Sequence, residues 1–369
     1  MNFSKKILNY FIIYFIFIFH INSFSISVTF INPGKSDEDF WVTSGKFTEA
    51  AAKNLGIKLE SVYAQRNRIY MVKIAEEIAK RTVKPDFVLI VNEKLSAEEI
   101  IPILNEAKIK TILIHVDLTK EQKNILKRPR EKYKYWLSTI VPDNTYAGYL
   151  IAEEIYKDAL NKIKHSTNFN LIAINGDKAT PASIERGDGL KKFLEKHSNI
   201  HLKQSIYAEW KRDIAFEQMQ IMLERYSNIN LIWAANDPIA LGALKATKEK
   251  NRLPGKNIFL GGLNWSKESI FEVKNGTLST TVGGHFMNGA CALVYIYDYL
   301  HGKDLLNNQY EMNIKIFSAI HSFESNEFLK YLDESNWHKI NLKNFSKTYH
   351  SNIKDYSFNS KDILRTIRK

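Results

Sequence analysis

Polar and aromatic side chains recur at one kind of place in this sequence, just after short β-rich runs. Asn32-Pro33-Gly34 and the stretch to Trp41 follow the first run, Asn92-Glu93 the third and His115-Val116-Asp117 the fourth. Farther on stand Asn175-Gly176-Asp177, Trp210, Asn236-Asp237 and Asn264-Trp265. Amides supply donors and acceptors for hydroxyl groups, and aromatic faces pack on the apolar side of a ring, so the mixture suits a small polar ligand. It holds neither the paired carboxylates of a glycosidase nor a nucleophile beside its base, so no catalytic residue is assigned and no enzyme is expected. The histidines lack metal-ligand spacing and Gly187-Asp188-Gly189 lacks phosphate-loop spacing, so neither metal nor cofactor is expected.

What must position these residues is an alternation of strands and helices. Residues 27–31 read as a strand ending at Pro33-Gly34, and 39–55 as a helix with Phe40, Phe47, Ala51 and Leu55 on one stripe. The run Phe87-Val88-Leu89-Ile90-Val91 is apolar throughout, as a strand covered on both faces must be. Residues 120–134 read as a charged loop. After Pro142-Asp143-Asn144 the alternation restarts and continues through a helix near 267–275. The expected fold class is therefore α/β, with two doubly wound parallel-sheet lobes. Such sheets bind ligands beyond the carboxyl ends of their strands, so two facing lobes enclose one cleft.

Individual positions admit more than one role. In Asn236-Asp237-Pro238, Asp237 is read as the helix cap and Asn236 as the ligand contact. Asn92 is either a contact or a turn residue. Phe40 and Trp41, adjacent at a helix start, cannot both enter one core, so one lines the cleft. Arg186 has a surface ion pair with Glu185 or Asp188 as its plainer reading. In Gly283-Gly284-His285 the glycines permit a crossing of the chain, leaving His285 as a ligand contact or a hinge neighbour.

At 369 residues and 44% hydrophobic, the chain is long enough for two domains with substantial cores. Lys5 and Lys6 precede a nearly unbroken apolar run over 7–19, and small residues follow at Ser23-Phe24-Ser25. This reads as an export signal over residues 1–25, cleaved to give a periplasmic protein. The single cysteine, Cys291, lies in an apolar stretch and reads as a buried small hydrophobe. Of the net charge of +12, residues 339–369 carry +6. The body is left without a concentrated basic face, and no nucleic-acid partner is expected. The tail itself, rich in Asn, Ser and Lys, is expected to be loosely attached.

Several motifs carry a resemblance. Residues 234–244, AANDPIALGAL, are close to an ND-x-x-A-L-G-A strand–helix junction, and 181–190 resemble an A-x-x-R-x-x-G helix start. Asp39-Phe40-Trp41, Val141-Pro142-Asp143-Asn144 and Gly261-Gly262-Leu263-Asn264 add to them. Over roughly residues 26–320 the chain resembles the type I periplasmic binding proteins, in the ribose-, galactose- and autoinducer-2-binding branch.

The resemblance implies a three-segment hinge near 141–143, 283–286 and 312–315. Residues 26–141 with 286–313 then form an N-terminal lobe, 142–285 with 314–335 a C-terminal lobe, and 336–369 a basic polar extension. It also implies that Glu38, Phe40, Trp41, Asn92, His115, Arg186, Trp210, Asn236 and Asn264 line the cleft; His285 joins them from the glycine argument above. Function follows as a monomeric solute-binding protein that closes on a sugar-like ligand and delivers it to an inner-membrane ABC permease. A receptor subunit for a membrane sensor kinase or cyclase is the alternative. A LacI-like regulator core is disfavoured, because an export signal stands where its DNA-binding helices belong. Sugar-binding members carry acids where Asn264 stands and near His115. Their replacement leaves open a different polyol, an autoinducer-like molecule or a ligand bearing negative charge.

Overall fold

The computed structural model describes residues 26–163, 168–305 and 309–368; the expected export signal at 1–25 lies outside the described residues. The chain begins with β1 (Ser27–Asn32), α1 (Asp39–Leu55), β2 (Lys58–Tyr63), α2 (Arg68–Lys80), β3 (Phe87–Val91), α3 (Ala97–Glu106), β4 (Lys110–Ile114), α4 (Lys120–Leu126) and β5 (Trp136–Pro142). It continues through α5 (Asn144–Lys162), β6 (Phe169–Asn175), α6 (Pro181–Leu194), β7 (Ile200–Tyr207), α7 (Arg212–Arg225) and β8 (Leu231–Ala234). Then come α8 (Asp237–Glu249), β9 (Phe259–Leu263), α9 (Lys267–Lys274), β10 (Thr280–Gly283), α10 (Asn288–Leu300), β11 (Glu311–Ile314), β12 (Ser318–Ile320), α11 (Ser325–Tyr331) and α12 (Ser360–Arg365).

These strands form two six-stranded sheets, ordered β11-β5-β4-β3-β1-β2 and β12-β10-β9-β8-β6-β7. All pairings are parallel except that of β12 with β10. Consecutive elements change sheet after β5, after β10 and after β11, so three segments cross between the lobes. Helix α10 returns to the first lobe and packs on α1, β4 and β5. The apolar run of β3 is buried at every residue, because helices cover both faces of its sheet. At the second crossing Gly284 has φ 107, and a Cβ there would lie 2.4 Å from Ser360 Cβ, so conformation and space both require glycine.

Two expectations fail. Residues 120–134 are not all loop, since α4 occupies their first half. Thr119 and Gln122 form a reciprocal capping box whose side-chain oxygens accept from two otherwise unpaired backbone N–H groups at its start. Nor is the tail loosely attached. Trp337, Ile340, Leu342, Phe358, Ile363 and Leu364 are all buried. The Trp337 ring sits edge-on to Phe47 at 5.1 Å and stacks on Phe286 at 6.1 Å. Asp298, fully buried on α10, accepts bonds from Ser346 Oγ, Lys347 N, Thr348 N and Oγ1, and Tyr356 Oη. A buried carboxyl group is tolerated only with such saturation, and each of these donors comes from the tail. Near its end the tail reaches the other lobe, where Ser360 Oγ meets Ser318 Oγ at 3.1 Å and Lys361 Nζ donates to Glu324 at 2.6 Å.

Candidate functional site

The first wall is built at the ends of β1, β2 and β4. Asn32 closes β1 by accepting from Gly34 N at 3.0 Å and donating to Trp41 O at 3.0 Å, which fixes the loop against the start of α1. Trp41 lies directly over Gly34, where a Cβ would come within 2.2 Å of its side chain. Above the indole sits the Arg66 guanidinium, 5.6 Å from the ring centroid. Arg66 binds Glu38 through Nε and Nη2, and donates to Glu93 Oε1 at 2.8 Å. Glu38 therefore serves to hold Arg66 on the rim.

Both adjacent aromatics belong to one ring cluster. Phe40 and Trp41 meet edge-on at 5.0 Å, and Trp41 meets His115 at 5.2 Å. Phe40 stacks on His285 at 4.5 Å, and Phe317 of the third crossing approaches His285 from another side at 5.0 Å. His285 thus joins two crossing segments to the first lobe, so it is a hinge neighbour whatever else it touches. His115, at φ 63, donates its backbone N–H to Asn288 Oδ1 at 2.6 Å and shares a bond between Nε2 and Ser44 Oγ at 3.2 Å. Burial, then the charge of Arg186 across the cleft, pushes His115 down to about 3. The same two causes, with His115 added, hold His285 well below its usual range. Both imidazoles are neutral at physiological pH.

The facing wall is polar. Trp210, at φ 62, lies over Gly176, where a Cβ would fall 2.3 Å from the indole, and donates Nε1 to Asp177 Oδ2 at 2.5 Å. Arg186 sits 5.6 Å over the Trp210 ring. It donates Nε to Asn144 Oδ1 at 3.1 Å and Nη1 to Ala235 O at 2.9 Å. Helix α6 brings it there by touching α5 backbone to backbone: a Cβ on Gly148 would be 1.9 Å from Arg186 O, and one on Gly189 2.0 Å from Thr145 O. Burial lowers Arg186 to about 10, against the opposing pull of Glu185 and Asp237. Glu185, which accepts from Asn144 Nδ2 at 3.1 Å, is raised by burial to about 7.

The capping role read into Asp237 belongs to Asn236. Asn236 is the cap, its Oδ1 accepting from Ile239 N at 2.9 Å, which leaves its Nδ2 as the group available to a ligand. Asp237 instead ties α8 to the neighbouring strands, accepting from Thr281 Oγ1 at 2.7 Å and Ser266 N at 2.8 Å. Burial raises it to about 6. Asn92 is also spent within its lobe: Nδ2 donates to Asp117 O and Gln122 Oε1, and Oδ1 accepts from Ala97 N. Asn264 stands half-exposed at the end of β9 with φ 152.

The structure thus brings Phe40, Trp41, His115 and His285 into one ring cluster and pairs Arg186 with Trp210, the Arg186 charge acting on both histidines. Glu38 and Asn92 act behind the wall. Sequence reasoning missed Asn144, Asn288 and Arg66. Asn144 follows Pro-Asp at a helix start, which was a readable signal; the other two were marked by nothing local. Positive φ recurs just beyond strand ends, at Arg66, Lys94, Leu95, His115, Trp210, Asn264 and Trp265, and is found elsewhere at Lys108, Lys127, Arg130 and Asn251. Among the described residues no group of His, Cys, Asp and Glu is arranged to hold a metal ion, and no helix is long and apolar enough to cross a membrane.

Comparison with known proteins places this geometry in company. The family model described as "Periplasmic binding protein domain" matches residues 28–304. The ribose import binding protein RbsB of Bacillus subtilis is 25% identical over 265 residues, covering 72% of this chain and 78% of the relative. The galactofuranose-binding protein YtfQ of Escherichia coli is 22% identical over 263 residues, 70% of this chain and 76% of the relative. A solved periplasmic sugar-binding protein from Pseudomonas fluorescens superposes with a TM-score of 0.81 at 31% identity, over 93% of this chain and all of that one.

Proposed function

We propose, from the premise that this chain belongs to the periplasmic binding protein domain family, that it is a periplasmic solute receptor of an ABC importer that closes on a sugar-like ligand. One observation carries the reading. Trp41 Nε1, His115 Nδ1, His285 Nδ1 and Asn288 Nδ2 are buried without a hydrogen-bond partner among the described residues, and their side chains cluster at the hinge side of the cleft. Unpaired buried polar atoms cost about 1–3 kcal/mol each; others are scattered, as at Trp136, Thr139 and Gln218, but four meeting in one place support a ligand that satisfies them. The names of the relatives, ribose- and galactofuranose-binding among them, support a sugar-like ligand.

Rings on one wall cover the apolar face of such a ligand, while Arg186 and Asn236 Nδ2 on the other meet its oxygens. Contact with both walls makes the ligand bind the closed form better than the open one, which is how it shifts the hinge equilibrium. The closed monomer is then what an inner-membrane permease reads. The family is one of binding proteins, and the Ser44 Oγ–His115 Nε2 pair at 3.2 Å is buried within the first wall.

Thermal unfolding with D-ribose, D-galactose, D-allose and myo-inositol tests this. A ligand specific to the folded protein adds about 2.7 kcal/mol at a hundredfold excess over Kd. Arg186→Ala and Asn236→Ala are each expected to weaken the best binder by about 1–3 kcal/mol while retaining the fold. Unchanged binding in both variants would move the ligand out of this cleft.

A further inference from the structure

We infer that the ligand carries an acidic group, a carboxylate or phosphate on a polyol, and that Arg186 holds it. This rests on the solute-receptor reading above and narrows its ligand class.

The carboxylates there are occupied. Asp177 accepts from Ala179 N, Thr180 N, Thr180 Oγ1 and Trp210 Nε1. Asp117 takes Lys123 Nζ and Leu118 N, Glu38 and Glu93 share Arg66, and Asp237 takes Thr281 and Ser266. Glu93 and Glu185 each keep one oxygen without a hydrogen bond among the described residues, and burial favours the protonated, donating form of Glu185. Sugar hydroxyls each bring a proton that needs an acceptor, and here that falls to the neutral imidazoles of His115 and His285 and the unbonded oxygens of Glu93 and Glu185, with no ionised acid of the cleft set aside for the ligand.

Donors are in surplus. Trp41 Nε1 and Asn288 Nδ2 have no acceptor. Arg186 has five N–H groups, of which Nε and one on Nη1 are used, both on neutral oxygens. Among the described residues no carboxylate is bonded to it; Glu185 and Asp237 act on it only through space. A cation buried to 5% exposure without a bonded counter-ion is costly unless the ligand supplies one. An oxyanion brings the charge and several lone pairs at once, in charge-assisted bonds about twice as strong as neutral ones.

The test is calorimetric titration of the full chain with matched probes: D-glucose against D-glucuronate and D-glucose 6-phosphate, and D-galactose against D-galacturonate. At least one acid is expected to bind about tenfold or more tighter than its neutral partner, and the glucuronate and phosphate arms separate the two kinds of acid. Arg186→Gln should erase that preference and Arg186→Lys should keep part of it. Asn144→Asp, which places a carboxylate beside Arg186 Nε, should also reduce it without removing the cation, and circular dichroism checks each variant's fold. A neutral sugar that binds as well as its acid, or an acid preference that survives Arg186→Gln, overturns the inference and leaves the receptor reading standing. Binding by none of the probes overturns both.

Discussion

Each wall of the cleft contains the same three-layer stack of glycine, tryptophan and arginine: Gly34–Trp41–Arg66 on one side and Gly176–Trp210–Arg186 on the other. In both, the guanidinium carbon lies 5.6 Å from the indole centroid. They differ in what holds the arginine. Arg66 is gripped by two carboxylates, and those pairs outweigh the burial that would otherwise lower its pKa. Arg186 has amide and carbonyl oxygens only. They differ also in depth, for Trp41 is buried and Trp210 only half so. In the first stack the arginine's charge is spent inside the protein, and only the Trp41 Nε1 donor is left unpaired. The other is left with unspent charge and donors, which is what a binding wall needs.

The largest effect expected from disturbing this pair is on stability. Trp41→Ala should cost about 3–5 kcal/mol in urea unfolding, and Trp210→Ala about 1–2 kcal/mol, because only the first empties a closed space. Equal losses would mean the two stacks are equally embedded. Next, Arg66→Met strands Glu93 at 4% exposure and should destabilise by about 2–4 kcal/mol. Arg186→Met removes an unpaired buried cation and should leave the ligand-free protein within about 1 kcal/mol of wild type, or more stable. A large loss at Arg186 would show that it is already satisfied in the protein alone.

A third effect concerns pH. Burial raises Glu185 from 4.5 to about 7, so the folded form binds a proton more tightly than the unfolded. Stability should therefore fall as pH rises from 4.5 to 7 and level off above, by up to about 3 kcal/mol. In Glu185→Gln that decline should flatten, as unfolding at pH 4.5 and pH 8 would reveal; an unchanged slope assigns it to other groups. The smallest is at Asn264, whose φ of 152 suits glycine. Asn264→Gly should be neutral or stabilise by about 0.5 kcal/mol, offset in part by chain entropy, and a loss above about 1 kcal/mol would assign the amide a structural bond.

Much of the fold was legible because its signals are local. Strand runs such as residues 87–91, the alternation with helices and the Asn-Asp-Pro junction at 236–238 depend on neighbours in sequence, and the two parallel sheets follow from them. The tail was misread for the opposite reason. Its apolar residues are too few and too irregular to show a period, and what holds it is Asp298, some 50 positions earlier. The misplaced cap at Asp237 has a similar source: either side chain can cap a helix, and the choice fell to Asn236 because Thr281 and Ser266, distant in sequence, claim Asp237.

From the sequence alone came the class of fold, the ends of strands at which a ligand would be met, and the residue types available there, since periodicity and turn chemistry act over a few residues. Only the tertiary structure decided which polar groups are spent on the protein and which remain for a ligand. A hydrogen bond is made by whichever partner arrives, and the partners of Arg66, Asn92, Arg186 and Asp237 arrive from other strands and helices.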